Sequence, residues 1–545
     1  MIYEEKQTGI GPALLLLCGV FLFSYSPWLL SLRDLFWQEG VFAGIASELS
    51  GIPPLLTLHG EYVNGVFPFY PVLVKFLHSS GYGMEFSLRI IPVLSLAVLV
   101  VLVYFCCWQA AGKQAGAAGA AAMLSSVVVF DKGLEGNPAM IISLGIFAVW
   151  LVWYDLGAWR GSWNLAWSIS GFLAGLLFYA GGWQALMLAV LPMLFLRRPL
   201  MLRNKPRGPG FVFCIGFIFL FILAWGMPRW FAGMDGAFSP DFYFGKSGWK
   251  YLKHLLLFPY EAAMYLMPWT LFAWAPFCPA VIMLDRNPLL CKYFRTLVTV
   301  LFVLLWISPA TQSRDLLCLV PPLSVLIGLN YWIAVRRFGD HYLFFLRWSA
   351  IVLFLLGTAG MIYFFIPNEI LMNSGWFQRD LSYRESKYIF YFGFICCSIS
   401  MILSILTFMA SNHRGSRIWQ YLLIVFAAGT FLFQAVVLPY KAASHENRDL
   451  GLELKQNIGN RSSDFTVYQY SSMPQIYIAG HYMGCRIITV ENEKSLPQDD
   501  RVIYVFSPDV PSLPNRTWKC IFNRPYKNNQ NLLLWRGELK DYEGK

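Results

Sequence analysis

Arg33-Asp34-Leu35-Phe36-Trp37-Gln38-Glu39-Gly40 opens a polar stretch that runs through His59-Gly60-Glu61-Tyr62-Val63-Asn64-Gly65 and closes at Ser87-Leu88-Arg89-Ile90. It carries Asp34, Glu39, Glu48, His59, Glu61, Lys75, Glu85 and Arg89 in a chain that is 57% hydrophobic and only 13% charged. Soluble domains carry about 25% charged residues. Apolar runs flank the stretch on both sides, which makes it a loop between membrane spans and the first place to look for chemistry.

The run Ile10 to Leu32 is too long for a signal-peptide core and lacks a small-residue cleavage site, so it reads as a retained span. Each further span needs about 20 apolar residues. Suitable runs are Ile90–Trp108, Ala115–Phe130, Pro138–Leu156, Leu165–Ala180, Trp183–Leu196, Phe211–Trp230, Ala262–Leu284, Thr296–Pro309, Leu316–Val335, Trp348–Pro367, Tyr388–Ala410 and Ile418–Leu438. The expected fold is therefore an all-α polytopic membrane protein of about 13 transmembrane helices. Within the first loop, Val41, Phe42, Ile45 and Leu49 share one face of a helix over 39–50. Too short and polar to span, it fits an amphipathic helix on the membrane surface, ended by Ile52-Pro53-Pro54. Phe69 to His78 fits a second such helix.

The net charge of +11 resides mainly in short loops. Arg197, Arg198, Arg203, Lys205 and Arg207 crowd one loop; Arg286, Lys292 and Arg295 another; Arg336, Arg337 and Arg347 a third; Arg414 and Arg417 a fourth. With thirteen spans all four fall on the side of the N-terminus, hence the cytoplasm. The loop bearing Glu39 and the C-terminal tail then face outward. This charge pattern sets topology and does not point to nucleic acid.

From Lys441 the composition changes. Arg448 to Asn457 suits a helix, and β-like runs follow at Phe465–Tyr470, Gln475–Ala479, Arg486–Val490, Val502–Phe506 and Leu532–Trp535. Residues 1–440 form the expected transmembrane domain and 441–545 a small extracytoplasmic α/β domain. Most of the eleven cysteines lie in apolar runs as small hydrophobes. Cys485 and Cys520, both in the tail, are candidates for a disulfide if that side is oxidising. Asn460-Arg-Ser and Asn515-Arg-Thr are formal glycosylation acceptors, relevant only in a eukaryotic secretory route.

Glu39 suits a general base, a metal or ammonium ligand, or a plain helix-end acid favoured by the dipole. Arg89 and Arg314 each suit a phosphate ligand or an interfacial anchor. The loop Asp131-Lys132-Gly133-Leu134-Glu135-Gly136-Asn137 is short and dense in polar groups. The loop Arg229 to Tyr260 adds Asp235, Asp241, Lys246, Lys250, Lys253 and His254, suited to anionic headgroups or a lipid-phosphate substrate.

The order of these motifs resembles the large GT-C glycosyltransferases, in the branch of protein O-mannosyltransferases and lipid A aminoarabinose (ArnT-like) transferases. Gln38-Glu39-Gly40 resembles the Asp-Glu or Arg-Glu-Gly motif of that branch. Leu58-His59-Gly60-Glu61-Tyr62-Val63-Asn64 resembles its Leu-Asn-Gly-x-Pro-Tyr-x-Asn stretch, and Leu88-Arg89-Ile90-Ile91-Pro92 its entry to the second span. Gly136-Asn137-Pro138 lies where the family has a second acidic motif, and Ser313-Arg314 with Leu319-Val320-Pro321 resembles Ser-Lys/Arg followed by Leu-Pro. The resemblance covers roughly residues 10 to 440. Three positions depart from the pattern: Gln38 replaces Asp, Gly65-Val66-Phe67 replaces Lys-Pro-Pro, and Asn137 replaces the second acid with Glu135 two residues away.

The resemblance implies an integral membrane glycosyltransferase, in the bacterial inner (plasma) membrane. It would transfer a sugar, with inversion, from a polyprenyl-phosphate donor to a lipid, glycan or protein acceptor at the outer face. Glu39 would be the catalytic acid-base residue. Gln38, Tyr62, Asn64, Arg89, Glu135, Asn137 and Arg314 would bind substrate. No cofactor is fixed; a divalent metal, with Glu39 as one ligand, is compatible with the pattern. Two alternatives stay open: a catalytically silent relative that binds a lipid-linked sugar or an acceptor, and a transporter. Transporters carry ionisable groups inside their spans, whereas here they cluster in loops.

Overall fold

Runs of leucine, valine and phenylalanine with no charge leave the backbone one way to satisfy its polar groups in lipid, the helix. The computed structural model describes residues 10–30, 34–49, 55–202, 205, 208–234, 248–373, 381–411, 417–442, 448–459, 466–473, 476–491, 496–497, 500, 502–513, 515–525 and 531–539. Arg33, Pro53, Pro54, Arg203, Arg207, Asp235, Asp241, Lys246, Arg414 and Asn460 lie outside the described residues. The chain divides into two units: residues 1–31 with 89–440, and residues 32–88 with 441–545. The sequence reading kept 32–88 with the membrane part; by packing, this loop groups with the tail.

The first unit is an integral membrane bundle. It begins with α1 (Ile10–Leu30). Between α1 and the rest of the bundle the chain passes through four elements of the second unit: α2 (Trp37–Glu48), the two-residue strands β1 (Thr57–Leu58) and β2 (Glu61–Tyr62), and α3 (Phe69–Ser79). The bundle resumes in α4 (Met84–Ala111) and α5 (Lys113–Leu124). Among the described residues, eight helices are long and apolar enough to cross a membrane, against the expected thirteen or so.

The difference has local causes. Leu165–Ala180 and Trp183–Leu196 are two helices that meet end to end within Trp163–Leu194, broken at Gly182, whose φ of 63° and ψ of −152° suit glycine alone. Leu316–Val335 and Trp348–Pro367 likewise fall on either side of a break at Phe338 in the continuous stretch Val320–Phe365, with Arg336, Arg337 and Arg347 on helix. At 46 residues this stretch would measure roughly 69 Å if straight, far beyond one ~30 Å crossing. Ala115–Phe130 breaks at Ser125, leaving the 12-residue α5. Ala262–Leu284 does not form one span. A helix over Trp249–Tyr265 ends before Pro268, and short pieces at Thr270–Trp274 and Pro279–Ile282 follow.

The second unit is built on a five-stranded sheet of β3 (Thr466–Tyr470), β4 (Arg486–Val490), β5 (Val502–Phe506), β6 (Arg516–Pro525) and β7 (Asn531–Leu539), ordered β4-β3-β5-β7-β6. β3 is parallel to β4 and β5; β7 runs antiparallel to β5 and β6. Helix Arg448–Ile458 lays Leu450 and Leu454 on the face carrying Val467, Phe506, Phe522 and Leu534. Each such buried side chain contributes about 1.5–3 kcal/mol. Of Gln475–Ala479, expected as a strand, Gln475 lies outside the described residues and Tyr477, Ile478 and Ala479 lie in helix Tyr477–Met483; β6 was not foreseen. Cys485 and Cys520 are free thiols. Cys485 adjoins β4 and Cys520 lies on β6, opposite edges of the sheet and roughly 19 Å apart by strand spacing, so no bridge joins them.

The first loop completes this unit. Ile45 of α2 and Leu56 and Leu58 pack with Tyr477. Gly40 lies so close to helix Tyr477–Met483 that a Cβ there would stand 3.2 Å from the Ile478 backbone nitrogen. The Thr489 N–H donates to His59 O at 2.9 Å, tying the first loop to β4.

Candidate active site

Glu39 occupies the third position of α2, where backbone N–H groups lack helical acceptors. Its Oε2 accepts the Phe36 N–H at 3.0 Å, and the side chain is fully buried. The carboxylate is thus placed by the helix terminus it caps and withdrawn from bulk water. Gln38 is half-buried beside it. Tyr62 and Asn64, around the end of the β1–β2 hairpin, are exposed. The hairpin's turn is held by Glu48, which accepts the His59 N–H at 2.7 Å and the Gly60 N–H at 3.3 Å. That offsets the positive φ of 54° at His59, a conformation costly for any side chain.

A second polar group in this unit was invisible in the sequence. The Tyr482 hydroxyl donates to Glu85 Oε1 at 2.8 Å and receives the Leu35 N–H at 3.3 Å. The Arg448 N–H donates to Asp34 Oδ2 at 3.0 Å. Burial raises the Asp34 pKa and lowers that of His481.

In the membrane unit, Arg89 is buried in α4. The loop after the short helix Val127–Asp131 gathers Lys132, Glu135 and Asn137. Lys132 Nζ donates to Glu135 Oε1 at 3.2 Å and lies 3.4 Å from Asp131 Oδ2. Burial disfavours its charge, but Glu135 and Asp131 outweigh that and raise its pKa. Asn137 Nδ2 donates to Glu135 Oε2 at 3.3 Å, while its Oδ1 accepts the Ala139 N–H at 3.0 Å and caps the next helix. An aspartate there would set two carboxylates side by side; the amide donates instead of repelling. The 3₁₀ segment Ser313–Leu319 packs on Val127–Asp131 and is fixed by Ser143 Oγ donating to Leu317 O at 2.8 Å. It brings Arg314 to the same region. The membrane unit thus unites Glu135 and Asn137 with Lys132, whose only sequence signal was the density of charge in its loop, and packs the segment that carries Arg314 on the helix before them. Among the described residues, no three His, Cys, Asp or Glu side chains converge into a cluster.

Against solved structures, the chain is similar to ArnT from Cupriavidus metallidurans bound to undecaprenyl phosphate. The TM-score is 0.69 at 14% identity, over 97% of this chain and 98% of that one. The chain has the GT-C fold of ArnT. The apo form of the same ArnT gives a TM-score of 0.66 at 15% identity, over 96% and 98% of the two chains. The oligosaccharyltransferase of Archaeoglobus fulgidus, in complex with zinc and sulfate, is more distant, at a TM-score of 0.43 and 11% identity over 88% and 61%. The sequence matches no protein-family model and no curated protein. The likeness to ArnT is thus one of fold, and covers the second unit as well as the bundle; activity has to be reasoned from the site.

Proposed function

We propose that the chain is a membrane glycosyltransferase that moves a sugar from a polyprenyl-phosphate donor to a lipid, glycan or protein acceptor at the outer face, inverting the sugar carbon. The observation that carries this reading is the ArnT fold along 97% of the chain, with Glu39 buried at one motif position and the Lys132–Glu135–Asn137 cluster at another. ArnT has been seen with undecaprenyl phosphate bound. In the proposed step the bond from the sugar carbon to the phosphate oxygen breaks as the acceptor oxygen attacks from the opposite side. Negative charge grows on the lipid phosphate, and Arg89, Arg314 and Lys132 are the cations assigned to it. Lys132 takes the part of the lysine absent at Gly65-Val66-Phe67. Glu39 takes the proton of a hydroxyl acceptor. Glu135, engaged with Lys132 and Asn137, orients rather than accepts a proton. The N-terminus is assigned to the cytoplasm and the outer unit to the opposite side, in keeping with the loop charges.

A second reading, a silent relative that binds without transfer, draws on Glu39 already capping α2 and on Gln38 in place of an acid. Purified protein in liposomes with a panel of polyprenyl-phosphate sugars separates the two. Transfer that is lost in Glu39→Gln supports the enzyme; donor binding with no turnover supports the silent relative.

A further inference from the structure

The membrane unit holds an apolar groove of about 500 Å³ lined by none of the residues assigned to transfer. Leu17 and Phe21 of α1 form one wall, Val101, Phe105 and Trp108 of α4 the other, and Ala120 of α5 part of the floor. The small residues of α5 explain the floor. Gly116 packs so tightly under α4 that a Cβ would stand 2.9 Å from Tyr104 O, while Ala115 to Leu124 are all buried. The groove follows α4 from Ala97 to Trp108, roughly 16 Å at 1.5 Å per residue, close to half of a ~30 Å hydrocarbon core. That is the length of one acyl chain in one leaflet. Counting along α4, the groove begins about 12 Å beyond Arg89 and runs away from it.

At its Trp108 end, α4 turns into α5 through Ala111, Gly112 and Lys113. Lys113 is exposed on the first residue of α5. Arg286 Nη1 donates to Ala111 O at 3.2 Å, which sets a second exposed cation, a guanidinium, at the same turn with most of its donors unspent. The neighbouring acid, Asp285, is ion-paired with Arg295. Among the described residues no carboxylate pairs with Lys113 or Arg286.

We infer that this groove, with Lys113 and Arg286 at its mouth, is a binding site for a phospholipid with an anionic headgroup. One acyl chain fills the groove between α1 and α4, and the phosphate meets the two cations. A void left empty in the bilayer would forfeit dispersion contacts along both walls, and a headgroup with net negative charge satisfies cations that a zwitterion leaves half-compensated. The site is separate from the transfer chemistry and holds whether or not the chain is an enzyme.

Native mass spectrometry of the delipidated full chain tests this, titrating dioleoylphosphatidylglycerol, dioleoylphosphatidylethanolamine or undecaprenyl phosphate. The phosphatidylglycerol adduct is expected to persist at least ~10-fold more dilute than the phosphatidylethanolamine adduct, and Lys113→Gln with Arg286→Gln to erase that preference, as loss of charge-assisted contacts predicts. Both substitutions are at exposed positions. Val101→Trp, which fills the groove from its wall, is expected to weaken both phospholipids alike. Equal retention of the two phospholipids by wild type, or undiminished preference in the double variant, overturns the assignment. So does displacement of phosphatidylglycerol by equimolar undecaprenyl phosphate, which would give the groove to the donor lipid.

Discussion

Glu39→Gln separates two roles that the structure places on one side chain. The carboxylate caps α2 by accepting the Phe36 N–H, and the glutamine carbonyl can accept the same bond. What the substitution removes is charge beside a helix N-terminus, about 0.3–1 kcal/mol, rising towards 2 kcal/mol when partly buried. A change of about 1 kcal/mol shifts Tm by no more than about 2–4 °C in a domain of 150–250 residues, and by less in a longer chain. Loss of a general base costs about 10²- to 10⁴-fold in rate, or about 2.7–5.4 kcal/mol in activation free energy. The two roles therefore differ by severalfold in energy and appear in different assays. Thermal unfolding in detergent and turnover with a lipid-linked sugar, run on the same preparation, should show a Tm within a few degrees of wild type and turnover reduced at least a hundredfold. Turnover within threefold of wild type would refute the base assignment and leave Glu39 as a cap.

Arg89→Ala and Arg314→Ala should each reduce kcat/KM for the donor by roughly 10- to 150-fold, with Arg→Lys recovering only part because the planar fork is lost; unchanged kinetics would return both to a structural role. Asn137→Asp should lower Tm near neutral pH, since it replaces a donor to Glu135 by a second carboxylate. The like charges raise the pair's folded pKa, so the deficit should shrink as pH falls through about 4; a deficit independent of pH would refute this. Tyr482→Phe removes the hydroxyl between Glu85 and the Leu35 amide and should cost about 1–3 kcal/mol, read as faster hydrogen exchange at Leu35. Asp34→Asn should leave or raise Tm at pH 7, because burial raises the Asp34 pKa and its charged form is the one penalised; the difference should vanish below about pH 3.9, where the unfolded carboxyl is also protonated. A variant less stable at every pH would show that the Arg448 bond dominates.

The uninterrupted apolar runs were legible because lipid allows them one structure, and α2, α3 and α4 fall close to where hydrophobic spacing put them. The errors have physical sources. Arg336, Arg337 and Arg347 read as a loop, yet helix formation tolerates charge wherever the side chains can reach a polar layer. Gln475–Ala479 has β-like residues, but Ile478 and Ala479 are buried on a helix, a case of tertiary packing overriding propensity. β6 alternates Trp518 with Lys519 and carries Arg516 and Arg524, and only the partner strand β7 reveals it. In the candidate site, Glu39 and Arg314 were singled out by motif position and Glu135 by its place two residues from Asn137. The grip of Lys132 on Glu135 was hidden because a charged loop looks the same whether its members pair or face water. The bond between Tyr482 and Glu85 joins residues 397 positions apart, a separation over which no local pattern carries information.

That separation has a consequence for biosynthesis. The Asp34–Arg448 bond spans 414 residues, so at about 5–20 residues per second the first loop is made roughly 20–80 s before the tail that covers it. Through that interval Ile45, Leu56 and Leu58 have no Tyr477 to pack against, and His59 has no strand to meet. The loop bearing Glu39 is therefore finished last although it is made first. A ribosome that stops short of residue 477 leaves a bundle with its helices complete and its second unit unclosed. Loss of the tail is therefore expected to be felt at the loop bearing Glu39 rather than in membrane insertion.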